Sequence, residues 1–188
     1  MHKRTKQLIV ACAVPVLILL GMCFQPLLTL LTGQEITLQT KPVDPTDLFR
    51  GDYVILRYEA EEVPKELVET EVIKQLERNG SWGVGEQNVY VVLKKKDGID
   101  HPVKVTLNKP KNGVFLKGKL DYIGTNGEGM EVAFIQYSLD KYYVEDNTGT
   151  KWEEASTKGQ ILAKVKVNNG YAILTNIEIG VRHRPWTK

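Results

Sequence analysis

Asp47 and Asp52, with Arg50 and Gly51 between them, are the residues of this sequence that come nearest to acid–base chemistry. A pair of carboxyl groups, one protonated and one ionised, is what a hydrolase needs for general acid–base work. The structural alternative is a charge-assisted network in which Asp47, Arg50 and Asp52 pin a turn, with the Asp52 carboxylate accepting backbone N–H groups. Other chemistry is poorly supplied. Beyond the N-terminal segment the histidines are His101 and His183, too far apart in sequence to form a metal-ligand motif. Ser81, Ser138 and Ser156 lie outside any Gly-x-Ser-x-Gly turn and read as loop or strand surface residues. A Ser–Lys dyad would need a serine ahead of the strand that starts at Tyr53, and none occurs before Ser81. Asp97 and Asp100 around Gly98 lack the remaining spaced ligands of a calcium loop, so they predict a hairpin turn. Glu153 and Glu154 beside Trp152 suggest a glycan site, with Trp82 as a second aromatic; read as a strand, however, the two carboxylates point to opposite faces. No catalytic residue, cofactor or metal site is therefore expected.

The elements that must position these residues begin with an anchor. From Leu8 to Leu31 the chain carries no charge, and as a helix this run would span about 36 Å, enough to cross a bilayer. A cleavable signal has a shorter apolar region ending at small residues. Leu20-Gly21-Met22-Cys23 fails as a lipoprotein signal because Met22 is too large and the apolar run continues beyond it. Lys3, Arg4 and Lys6 precede the run and the first charge after it is Glu35, so the N-terminus is expected in the cytoplasm. The segments are then 1–7, a basic cytoplasmic tail; 8–31, a transmembrane signal-anchor; and 34–188, an extracytoplasmic domain at the plasma membrane. Gln25 is a polar group within the span that calls for a headgroup, water or another membrane helix.

The three N-terminal cations account for the excess of 25 basic over 23 acidic residues, so the outer domain is nearly neutral and lacks the clustered charge that nucleic acid requires. Both cysteines, Cys12 and Cys23, fall in the apolar run. The domain must be stable by packing, without disulfides. Lys94-Lys95-Lys96 reads as a solvated strand end, and the tail around Arg182, Arg184 and Trp186 as an exposed terminus able to touch anionic headgroups.

Past Gly33 the hydropathy alternates with period two. Ile36 and Leu38 alternate with Thr37 and Gln39, and further strands are expected over 53–59, 88–95, 103–108, 114–122, 131–137, 161–167 and 171–179. Asn169-Gly170 supplies the positive φ of a tight hairpin. Residues 64–78 break the pattern: Leu67, Val68, Val72, Ile73 and Leu76 share one helical face, and Asn79-Gly80 ends the run. The expected fold is mainly β, an antiparallel, barrel-like domain with one packed amphipathic helix, preceded by a single transmembrane helix.

Within the strand that opens at Tyr53, Leu56 and Tyr58 share one face and Tyr53 takes the other. Leu56 is then core, Tyr58 joins it with its hydroxyl on a polar partner, and Tyr53 meets something outside. Gly51, Asp52, Tyr53, Leu56 and Tyr58 together resemble the defining pattern of the GDYXXLXY family of bacterial membrane-associated proteins. The resemblance extends to Lys141-Tyr142-Tyr143-Val144-Glu145 and to Asn169-Gly170-Tyr171-Ala172-Ile173-Leu174, and departs from the family at the short Asn147-Thr148-Gly149. It implies an N-terminal anchor and, in some members, association with or fusion to multi-pass membrane proteins. The expected function is an anchored, non-catalytic interaction or assembly module, in contact with the lipid bilayer and another integral membrane protein. Its rivals are a cell-envelope hydrolase and a glycan-binding module.

Overall fold

The computed structural model describes residues 3–42, 53–78, 87–144 and 149–180. Helix α1 runs over Lys3–Thr32 and is long and apolar enough to cross a membrane. Only Gly33 separates it from strand β1, Gln34–Gln39. The Gly33 N–H donates to the Thr29 carbonyl at 2.8 Å, and a Cβ at this position would collide with that same oxygen. A residue with a side chain would have to open the junction. Two further bonds fasten helix to domain: Lys166 Nζ donates to the Leu30 carbonyl at 2.5 Å and Asn168 Nδ2 to Thr32 Oγ1 at 3.0 Å.

Strands follow as β2 (Tyr53–Ile55), β3 (Glu62–Pro64), β4 (Gln87–Lys96), β5 (Ile99–Thr106), β6 (Val114–Thr125), β7 (Glu131–Gln136), β8 (Lys141–Tyr143), β9 (Ile161–Asn168) and β10 (Tyr171–Ile179). Their ladders are antiparallel and form three sheets, ordered β1-β9-β10, β2-β8 and β3-β7-β6-β4-β5. One core joins all three, from Leu38 and Val165 through Val54 and Leu56 to Val91, Leu116 and Ile135. Each such buried side chain contributes roughly 1.5–3 kcal/mol, which is how the domain stands without disulfides. Both tight hairpins form where the sequence places them: Asn169 and Gly170 have φ of 54° and 86°, Asp97 and Gly98 of 52° and 86°.

Several expectations are corrected. The helix expected over 64–78 starts later, as α2, Thr70–Arg78, because residues 62–64 pair with β7 and Lys65–Leu67 form a 3-10 turn. Its apolar face is as expected, with Val72 fully buried and Leu67, Ile73 and Leu76 against the core. α2 is the packed amphipathic helix expected, and a further short helix, α3, spans Gly149–Thr157. It buries Ala155 and Ser156, which removes Ser156 from the surface, and it places Glu153-Glu154 on a helix instead of a strand. Its signal was the spacing of Trp152, Ala155 and Ser156, too short a stripe to stand out. The strand expected over 53–59 stops at Ile55: the Leu56 N–H turns to the Asp140 carbonyl, Tyr58 keeps one bridge to Thr40, and Glu59–Glu61 close a 3-10 turn.

Strand β1 does not alternate. Thr37 and Gln39 are as buried as Ile36 and Leu38. β9 occupies one edge of β1, and on the other the Thr37 N–H donates to the Asp100 carboxylate at 2.9 Å. Gln39 Nε2 donates to the Gly159 carbonyl at 2.7 Å. Asp100 thus covers an edge that would otherwise leave a buried donor unpaired. Asp100→Ala is expected to cost about 1–3 kcal/mol and Asp100→Asn, which keeps an acceptor oxygen, distinctly less. Urea unfolding of the full chain in detergent micelles measures both, and equal losses would remove this role.

Candidate functional site

The motif strand divides its side chains between two environments. Val54, Leu56 and Tyr58 are buried, whereas Tyr53 and Ile55 are half-buried and Arg57 is exposed. Tyr58 does what its position predicts: its ring is fully buried and its hydroxyl donates to the Leu139 carbonyl at 2.7 Å. Leu56 is core at 1% exposure. Tyr53 faces outward and packs edge-on against Tyr143 at 6.0 Å between ring centroids, with Lys141 Nζ 5.6 Å from its ring centre. Tyr143 itself is 74% exposed. β2 and β8 bring this pair together through the register Tyr53↔Tyr143. The segment carrying Lys141 and Tyr143, known from the sequence only as part of the family resemblance, is therefore the motif's own strand partner. Asp47, Arg50, Gly51 and Asp52 lie outside the described residues, as do Ser81, Trp82 and the basic tail.

Beneath the motif sits an ionisable group that sequence reasoning missed. Glu61 has a side chain only 13% exposed. Burial pushes its carboxyl up to about 7, against the pull of the Arg57 guanidinium 3.9 Å away and of Lys41. Tyr58 and Tyr137 both feel this carboxylate; burial first, and Glu61 second, holds their hydroxyls far above the ordinary phenol range. Neither hydroxyl is at liberty, since Tyr137 donates to the Ala60 carbonyl at 3.0 Å and Tyr58 to Leu139. Only the 3-10 turn over Glu59–Glu61 tucks Glu61 inward, and a strand continuing to residue 59 would not have suggested it.

Glu61 and Arg57 border a cleft of about 980 Å³ that runs past Asp140 and Lys141, along β6 at Lys117, to the β9–β10 hairpin tip and Gln25 of α1. Asp100, the calcium candidate, is occupied by Thr37, and His101 is its neighbour on β5, an edge strand of the large sheet. Trp152 is half-buried and packs against the core.

A domain of antiparallel sheets behind an apolar N-terminal helix, with the strand that opens at Tyr53 paired to β8, defines a helix-led β protein. The chain belongs to the GDYXXLXY protein family, whose model matches residues 15–177, from within α1 to β10. No curated protein and no solved structure matches it.

Proposed function

We propose that this chain is a membrane-anchored interaction or assembly module without catalytic activity. In this reading α1 crosses the plasma membrane once, with its N-terminus in the cytoplasm. The β domain stands outside the cell, and the module works with a multi-pass membrane protein. The carrying observation is the division of the motif: Leu56 and Tyr58 are used up in the core, while Tyr53 is presented with Tyr143 as an outward aromatic pair. Exposed tyrosines give large contact area at small entropic cost, and they are favoured where one protein meets another. The one-residue junction at Gly33 supports the reading as well, because it fixes that pair relative to the membrane helix.

Protease added to intact spheroplasts is expected to digest the domain while the chain, sequenced from membranes, still begins at or near Met1. Protection until lysis would reverse the orientation, and a mature start near residues 32–34 would replace the anchor by a cleaved signal. Co-purification in mild detergent is expected to bring down an integral membrane protein with the parent chain. Tyr53→Ala with Tyr143→Ala is expected to lose it without loss of fold. Retention by the double variant would move the interface elsewhere.

One observation favours the rival hydrolase, and it points to Glu61 instead of Asp47 and Asp52. A carboxyl held near neutral pH beside a cleft is suited to general acid work. Against it, the two hydroxyls that feel Glu61 both donate to backbone carbonyls and serve the fold.

A further inference from the structure

We propose that the cleft between the domain and α1 binds the headgroup of an anionic phospholipid, an inference that rests on the anchored reading above. The cleft is lined by five cationic side chains against two carboxylates, Glu61 and Asp140. Of the cations, Lys109 and Lys117 have no ion-pair partner among the described residues, and both are exposed. Lys141 has its ammonium 5.6 Å from the Tyr53 ring centre and lines the same cleft. Such a surplus attracts an anion and holds it through several weak contacts.

What selects a lipid over a soluble anion is the remaining wall. Gln25 lines the cleft, yet it belongs to the apolar helix, about 12 Å before the junction at Gly33. On its helical face the residues towards the N-terminus are Met22 and Ile18, exposed at 70% and 58%. The cleft therefore passes from a basic roof, through one amide, onto an apolar track of a membrane helix. A ligand filling it needs a negative head and a hydrocarbon tail. The Gln25 amide suits the glycerol or ester oxygens between them, and a polar group at that depth gains by having such a partner. The hairpin tip closes the roof: the Lys117 N–H donates to the Gly170 carbonyl at 2.9 Å, which ties β6 to the same β9–β10 hairpin that is fastened to α1.

The test is native mass spectrometry of the full chain in detergent micelles, titrated with phosphatidylglycerol or phosphatidylcholine. One phosphatidylglycerol per chain is expected to be held roughly tenfold better than phosphatidylcholine. K109E with K117E and K141E is expected to abolish that preference. K94E with K95E and K96E, the same charge change on the exposed β4–β5 hairpin, is expected to retain it. Equal retention of the two lipids by the parent, or equal loss in the two triple variants, would overturn the proposal. Displacement of the lipid by millimolar sn-glycerol 3-phosphate would assign the cleft to a soluble phosphate ester and overturn the lipid assignment. A chain that leaves the membrane fraction on cell lysis would fail the anchored reading itself, whereas a membrane-bound chain with no lipid preference fails the cleft alone.

Discussion

Tyr58→Ala is expected to lower the stability of the domain by about 3–5 kcal/mol, the range for removing a large buried aromatic, and Tyr58→Phe by about 1–3 kcal/mol. The two figures separate ring from hydroxyl. The ring is fully buried among the core side chains of all three sheets, so its loss leaves a cavity that the surrounding strands close only in part. The hydroxyl is the partner of the Leu139 carbonyl at 2.7 Å, and Leu139 is itself buried. Phenylalanine would keep the packing and strand that carbonyl. Tyr58 also stands where three segments meet: it bridges to Thr40 after β1, opens the 3-10 turn that carries Glu61, and reaches the link between β7 and β8. Tyr53→Ala, in the same motif, removes only an edge-on ring pair and a cation contact at a half-exposed site, a loss of roughly 0.5–1.5 kcal/mol. Urea unfolding of the full chain in mild detergent reads all three variants. A neutral Tyr58→Phe, or a Tyr53→Ala as damaging as Tyr58→Ala, would contradict this division of the motif.

Glu61→Gln is expected to make the protein more stable than the parent by about 2–3 kcal/mol at pH 8 and to leave it nearly unchanged at pH 4. The folded-state carboxyl is raised from its ordinary 4.5 to about 7, mainly by burial. Between these two values the native chain binds more protons than the unfolded chain, so stability falls as pH rises. The contribution of Glu61 is fully present below pH 4.5 and is lost as pH climbs through 7. Each unit of that interval is worth about 1.4 kcal/mol, reduced somewhat because water still reaches part of the side chain. Glutamine carries no proton in this range and abolishes the slope. The pH dependence contributed by every other group cancels in the difference between parent and variant, so unfolding series in one detergent at several pH values isolate this one. Arg57→Ala is expected to act in the opposite direction, steepening the fall, since the guanidinium opposes the burial effect. A parent–variant difference that is flat from pH 4 to 8 would show that Glu61 is ordinarily solvated.

The amino-acid sequence by itself determined the features that depend on near neighbours. An uncharged apolar run forms the long helix α1. Alternating segments become β4, β6, β7, β9 and β10 close to their expected limits, and Asn169-Gly170 and Asp97-Gly98 take up positive φ in tight hairpins. The inward Leu56 and Tyr58 and the outward Tyr53 likewise follow from strand parity over a few residues. Tertiary structure decided the rest, because it depends on which distant segment arrives at an open edge or an empty face. Thr37 and Gln39 look like the solvent side of a strand until Asp100 and Gly159 cover them from far along the chain. The motif strand ends at Ile55 because the backbone at residues 56–58 finds partners at Asp140, Lys41 and Thr40. Glu61 reads as one more surface glutamate until that turn folds it beneath Tyr58 and Tyr137. The cleft is assembled from α1, the motif segment, β6, the β7–β8 link and the β9–β10 hairpin. None of these carries a local pattern that marks it as a wall of the same space, since a cation on a strand has the same sequence neighbours whether it faces bulk water or a membrane helix.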